Sequence, residues 1–155
     1  NDNTVTTAPT SENNTPTKTS AVLLSDTDTY NKAFRALSAK HYDDAQSQFN
    51  GYLKLYPKGH FAENAYFWLG EIDLMKGKYN AALKRFQIVV SDYPHAKKLP
   101  DAKLKIAMIH AATGKVSIAR DEFTKIRKDY PGSTAAQLAN IRLQQLASAT
   151  SVETK

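Results

Sequence analysis

Residues 66–94, YFWLGEIDLMKGKYNAALKRFQIVVSDYP, end on a Tyr-Pro pair. The same ending returns in LYPKG (55–59) and DYPGS (129–133), so Pro57, Pro94 and Pro131 lie 37 residues apart, twice over. A spacing kept to the residue across two intervals marks a repeated structural unit. Aligned on that period, Ala45, Ala82 and Ala119 form one column, and Phe49, Phe86 and Phe123 form another four residues later. Ala33, Gly70 and Ala107 form a small-residue column earlier in each unit, and Lys40, Gly77 and Gly114 follow where a helix stops in the left-handed conformation. In the middle unit Ala82, Phe86, Val89 or Val90, and Tyr93 share one helical face. Each unit therefore reads as helix, tight turn, helix and proline stop, because proline lacks the N–H and its ring clashes with the preceding turn. Asp43, Asn80 and Ser117, two residues before each column alanine, read as N-caps of the second helices. After Pro131 the apolar stripe continues through Ala139, Leu143 and Leu146, and Thr134 and Gln137 have capping-box spacing, which predicts a terminal helix.

The columns resemble the tetratricopeptide repeat, best seen in Tyr66-x-x-Leu69-Gly70 followed by Ala82, Phe86 and Pro94. The usual unit is about 34 residues. Here three extra residues fall between each proline and the next small-residue column, lengthening the inter-unit loop or the first helix. Unit one departs most, with Lys32 where Leu69 and Ile106 stand and Lys40 in place of glycine, and Val116 of unit three replaces Tyr42 and Tyr79. The expected fold is all-α: a right-handed superhelix of three such repeats, about 26–59, 60–96 and 97–132, with a capping helix over 133–147. Residues 1–20 hold 13 Thr, Ser or Asn and a single large aliphatic, Val5, too little apolar area to offset ordering. The expected organisation is a flexible linker over 1–25, a repeat domain over 26–148 and a flexible tail over 149–155. Asn13-Asn14-Thr15 also fits a glycosylation sequon.

A narrower resemblance spans roughly residues 26–146. The run from Ala65 to Lys115 with DYPGSTAAQLANIRLQQL is similar to the C-terminal domain of the periplasmic Tol-Pal-associated cell division coordinators of Gram-negative bacteria. That resemblance implies binding to TolA, with a septal peptidoglycan synthase as a further partner. It implies a role in coordinating outer-membrane constriction with septal peptidoglycan synthesis, in the periplasm. It also implies a trimerising coiled coil upstream of Asn1; three units and a cap are expected to be monomeric, and the start at Asn1 without Met suggests a mature or truncated form. A scaffold of another envelope assembly or secretion complex is the alternative, because other envelope proteins share repeats ending in Tyr-Pro.

Composition narrows the remaining functions. The chain of 155 residues is 41% apolar and 23% charged, as a soluble globular domain is, and no window approaches the roughly 18 apolar residues of a spanning helix. No basic start followed by an apolar run marks a signal peptide. Cysteine is absent, which excludes disulfides, thiolate metal sites and a thiol nucleophile. The net charge of +6 is scattered over short groups such as Lys97-Lys98 and Lys125-x-Arg127-Lys128, without interleaved aromatics, so nucleic acid is not expected as a partner. His41, His60, His95 and His110 show no metal-ligand spacing, and His110 reads as a structural histidine. Glu71 and Asp73 face different sides of a helix, and the glycines are dispersed at turns, so no enzyme, cofactor or metal is expected.

In a stack of this kind the first helices line a concave groove. Residues one turn either side of the small column face it: Tyr30, Phe34 and Leu37, then Phe67, Glu71, Leu74 and Met75, then Leu104, Met108 and Ala111. The candidate partner-binding residues are Tyr30, Phe34, Phe67, Glu71, Met75, Leu104 and Met108, a surface suited to an amphipathic helix or an extended peptide. Packing between helices is the other reading for each, foremost for Leu37, Leu74 and Leu104, and Trp68 fits either role. The Lys and Asn clamp by which some tetratricopeptide grooves hold a terminal carboxylate is missing from these phases, so a more apolar ligand is expected.

Overall fold

A computed structural model describes residues 23–153, with side chains through 149. All but three residues of the expected linker, and the sequon, lie outside that range. Seven helices occupy the described residues: α1 (Asp26–Ser38), α2 (Tyr42–Leu55), α3 (Ala62–Met75), α4 (Tyr79–Asp92), α5 (Leu99–Ala112), α6 (Val116–Asp129) and α7 (Thr134–Glu153). No strand occurs among them. They stack as pairs, each helix on its chain neighbour, in the superhelical arrangement that the 37-residue period predicts.

The turn inside each pair is closed by the backbone alone. Lys40, Gly77 and Gly114 have φ of +62°, +72° and +86°. Their N–H groups donate to Leu37, Leu74 and Ala111, and the next residues, His41, Lys78 and Lys115, donate to Ala36, Asp73 and His110 at 2.8–3.0 Å. These bonds satisfy carbonyls that a helix end leaves free, and they need a residue in the left-handed region. Each second helix therefore starts two residues after the left-handed position. Asp43, Asn80 and Ser117 consequently fall inside the first turn, and the true cap positions, His41, Lys78 and Lys115, make no side-chain capping bond.

At the other end of each second helix, Tyr56, Tyr93 and Tyr130 sit at φ near −127° and ψ between 54° and 65°, out of the helical region. That is the restriction proline places on its predecessor. The first two connections, 56–61 and 93–98, are two residues longer than 130–133. In α7 the cap is Ser133, whose hydroxyl accepts from the Ala136 N–H at 3.0 Å, one residue before the predicted Thr134. The helix also continues to Glu153, past the expected end at 147, because no Gly or Pro interrupts LASATSVE.

The columns form the core. Ala33, Ala45, Ala82, Ala107 and Ala119 are wholly buried, as are Phe49, Phe86 and Phe123 to within 1%. A Cβ on Gly70 would come within 2.7 Å of the Phe86 ring, so a methyl there would need that ring to move. The core runs as three consecutive clusters, each joining one unit to the next, as in a quasi-one-dimensional stack.

Unit one adds a polar tie. The buried Tyr52 hydroxyl donates to Asp26 Oδ1 at 2.5 Å and accepts from the Phe61 N–H at 2.9 Å, while Asp26 Oδ2 accepts from the His60 N–H at 3.0 Å. Burial, and then the bond to Asp26, push the Tyr52 phenol well above its ordinary range. Tyr56 donates to the Leu24 carbonyl at 2.6 Å, and Ser25 caps α1 through the Asp28 N–H, so Leu24 and Ser25 are tied to the first unit. A Cβ on Gly59 would collide with the Tyr52 hydroxyl and with Asp26. One period on, Val89 and Ala96 replace Tyr52 and Gly59, and both are buried: without the hydroxyl, the methyl fits.

Two outcomes follow for stability. Lys40→Gly should raise stability by about 1 kcal/mol, since it relieves a left-handed non-glycine residue, and Gly77→Lys should lose a similar amount; denaturant midpoints at unchanged slope measure both. Gly59→Ala should cost about 1–3 kcal/mol in the native background through overpacking. In a Tyr52→Val background it should cost less than about 1 kcal/mol, a coupling that a double-mutant cycle reads directly.

Candidate functional site

The groove is lined by one stripe from each first helix and by α7. On α3 the stripe is Trp68, Glu71 and Met75; one period later on α5 the same positions are Lys105, Met108 and Ala112. Their spacing of three and four residues puts each set on a single face. The seven sequence candidates divide. Tyr30, Phe67 and Leu104 are buried to 8%, 4% and 2% exposure and belong to the core. Tyr30 stacks on Phe61 with centroids 4.4 Å apart, and Phe67 packs edge-on against Phe86 at 5.4 Å. Their phase is turned toward the partner helix of the pair, which corrects the expectation that they contact a ligand. Phe34 and Met75 stand exposed at 39% and 52%, and Glu71 and Met108 are half-buried. These four, with Trp68, present side chains to the groove.

At the N-terminal end the groove is aromatic. Phe34 and Trp68 lie 5.7 Å apart, and Trp68 Nε1 donates to the Tyr30 hydroxyl at 3.0 Å. Desolvation by burial is the main reason that hydroxyl's pKa stands above the usual phenol value. The Lys98 ammonium sits 4.7 Å from the Trp68 ring and 4.9 Å from Phe67, a cation held on two ring faces. In the middle, Lys105 Nζ lies 3.1 Å from Glu71 Oε1, so the groove's acid is neutralised from the next unit. At the C-terminal end a cavity of about 460 Å³ opens among Leu74, Tyr79, Met108, Ala111, Arg142 and Leu146. Its walls are mainly apolar, and its size falls within the range of pockets that bury a ligand or several side chains. Lys105 and Arg142 escaped the sequence reading. Lys105 was findable as the residue one period after Trp68, whereas Arg142 depends on how α7 docks.

Away from the groove, polar contacts tie unit one to unit two. The buried Asp73 accepts from Gln46 Nε2 at 2.8 Å and faces Arg85 Nε at 3.8 Å, and Lys76 bonds Gln46 and Asp43. The Lys76 partnership holds the Asp43 carboxyl below its ordinary range. His110 bonds Glu122 through Nδ1 at 2.7 Å, which gives it the structural position expected of it.

A model of the tetratricopeptide repeat matches residues 64–96 and 101–133. Its second and third units are tetratricopeptide repeats. A stretch of 48 residues is 44% identical to the cell division coordinator CpoB of Pseudomonas putida, and covers 31% of this chain and 18% of that protein. The match thus spans less than a fifth of the relative's length. The repeat domain superposes on the Yersinia enterocolitica secretion chaperone SycD bound to a peptide of the translocator YopD, with a TM-score of 0.66 at 17% identity over 85% of this chain and 98% of that one. PcrH of Pseudomonas aeruginosa gives 0.66 at 21% identity, over 81% and 95%. At such identities the likeness is one of fold. The repeats and their open groove make the chain a protein-interaction module, and no helix among the described residues is long and apolar enough to cross a membrane.

Trp68 is the single tryptophan and reports on this groove. Phe34→Ala should shift its emission to the red by uncovering the indole, while costing about 1 kcal/mol for a half-exposed ring; steady-state fluorescence and thermal melts measure the two effects.

Proposed function

We propose that the chain is a non-catalytic, periplasmic protein-binding domain of the Gram-negative envelope that binds TolA. Through TolA, and a septal peptidoglycan synthase as a further partner, it helps to coordinate outer-membrane constriction with septal peptidoglycan synthesis. One observation carries the reading: 48 residues of this chain are 44% identical to a cell division coordinator, in a chain whose residues 64–96 and 101–133 match the tetratricopeptide repeat. The groove chemistry agrees with a helical protein ligand. An aromatic end, a neutralised centre and an apolar cavity follow one another along the first helices, which suits the apolar face of an amphipathic helix. The secretion-chaperone reading has likeness of fold behind it and no more, and so ranks second.

The test is an NMR titration of the chain with soluble helical and C-terminal segments of TolA. Shifts should cluster on Phe34, Trp68, Glu71, Met75 and Met108, and Met108→Asp should weaken binding about tenfold, the loss of one buried apolar contact. Absence of shifts at near-millimolar ligand would sink the TolA reading and leave the interaction module without it.

A further inference from the structure

The second site of interest lies on another face, where unit two meets unit three. Most columns that build the stack are apolar in every unit, but two change character here. Where unit two has Tyr66 and Ile88, both half-buried, unit three has Lys103 and Lys125. Neither ammonium turns inward. Lys103 Nζ donates to the Tyr130 hydroxyl at 3.0 Å and sits 5.3 Å from the centre of that ring, and Lys125 Nζ pairs with Asp129 at 2.9 Å. A cavity of about 230 Å³ is left between α4, α5 and α6, walled by Val90, Ile106 and Ile126 and by the stems of Lys103, Lys125 and Glu122.

The geometry points to a docking site for an acidic segment of a partner protein, which inserts one aliphatic or aromatic side chain here and lays a carboxylate on Lys103. Volume selects the occupant. The cavity is smaller than the roughly 300–1,000 Å³ of small-molecule pockets, and its apolar wall takes a side chain rather than a polar group. Charge selects its neighbour. Glu122 bonds His110 through Oε1 at 2.7 Å while its Oε2 is buried without a hydrogen-bond partner, Asp129 pairs with Lys125 and also lies in the field of Lys103, and Lys103 donates to the Tyr130 hydroxyl. The surrounding surface agrees: residues 97–149 carry ten Lys and Arg against four Asp and Glu. Lys103 and Ile106 each lie two residues from Lys105 and Met108, about 200° around α5, so this site and the groove open on different faces. It therefore extends the groove reading without depending on it, and lets the domain hold two segments together.

The test uses the whole chain and two probes, acetyl-Glu-Leu-Glu-amide and acetyl-Lys-Leu-Lys-amide, titrated to tens of millimolar and read by amide and methyl NMR. The acidic probe should give saturable shifts at Val90, Ile106 and Ile126, and the basic probe should bind at least about fivefold more weakly, the upper range for an exposed ion pair. Lys103→Gln should weaken the acidic probe by a similar factor. Lys125→Ile, which restores the apolar residue of the preceding unit, should fill the mouth and abolish those shifts. Equal binding of the two probes, shifts confined to Met75 and Met108, no saturable shifts at the three wall residues, or binding unchanged in a folded Lys125→Ile chain would each overturn the site. Should Lys125→Ile not fold, Lys103→Gln decides alone: unchanged affinity overturns the proposal.

Discussion

The stack depends on a residue held in the left-handed region between the two helices of every unit. That conformation reverses the chain within three residues, so the two helices of a pair cannot slide against each other. It fixes which residue of the first helix faces which residue of the second, twelve positions on. Ala36 and Gln48, Asp73 and Arg85, His110 and Glu122 are the same pair of positions in successive units. In unit two the acid is on the first helix, and in unit three it is on the second. The register survives a reversal of charge because the backbone turn sets it, and the side chains then only have to match. Lys40 shows the strength of this constraint: the turn is made even where the residue is not glycine, and at a cost.

Matching side chains, rather than invariant ones, recurs at the unit boundaries. Phe61 stacks on Tyr30 at the first boundary; one period later, Lys98 sits over Phe67. A ring on a ring becomes a cation on a ring, and in both cases the upper group covers a flat apolar face at the start of the next helix. Tyr52 with Gly59 and Val89 with Ala96 are a second such exchange, in which a hydroxyl and a methyl compete for one volume. Close packing leaves no room for both, so the column varies as a pair.

The period made the fold readable, because residues that recur every 37 positions must do the same mechanical work. Ala45, Phe49, Gly70, Phe86, Ala119 and Phe123 are buried where the columns put them, and Pro57, Pro94 and Pro131 follow the second helices. What the columns could not give was the boundary chemistry. Asp43, Asn80 and Ser117 have good capping side chains, but the backbone turn has already fixed the helix start two residues earlier. The groove was legible in part for a related reason. Tyr30, Phe67 and Leu104 lie three residues before the small column and Phe34, Glu71 and Met108 one residue after it, and periodicity gives the stripe but not which edge of it the partner helix covers. Arg142 belongs to α7, outside the repeated columns, and no period could place it.

Those boundaries leave an uneven surface, and the unevenness bears on function. Over residues 23–96 nine Lys and Arg stand against eight Asp and Glu, so the first half is nearly balanced and the positive surplus lies in unit three and the cap. Aromatic groove residues lie at the opposite end, with Phe34 and Trp68. Along the groove itself, aromatic rings with Lys98 stand at one end and an apolar cavity edged by Arg142 at the other. The exchange of Tyr66 and Ile88 for Lys103 and Lys125 arises in the same half of the chain. The repeats therefore share one scaffold, while the substitutions that distinguish them gather the positive surplus in unit three and the cap.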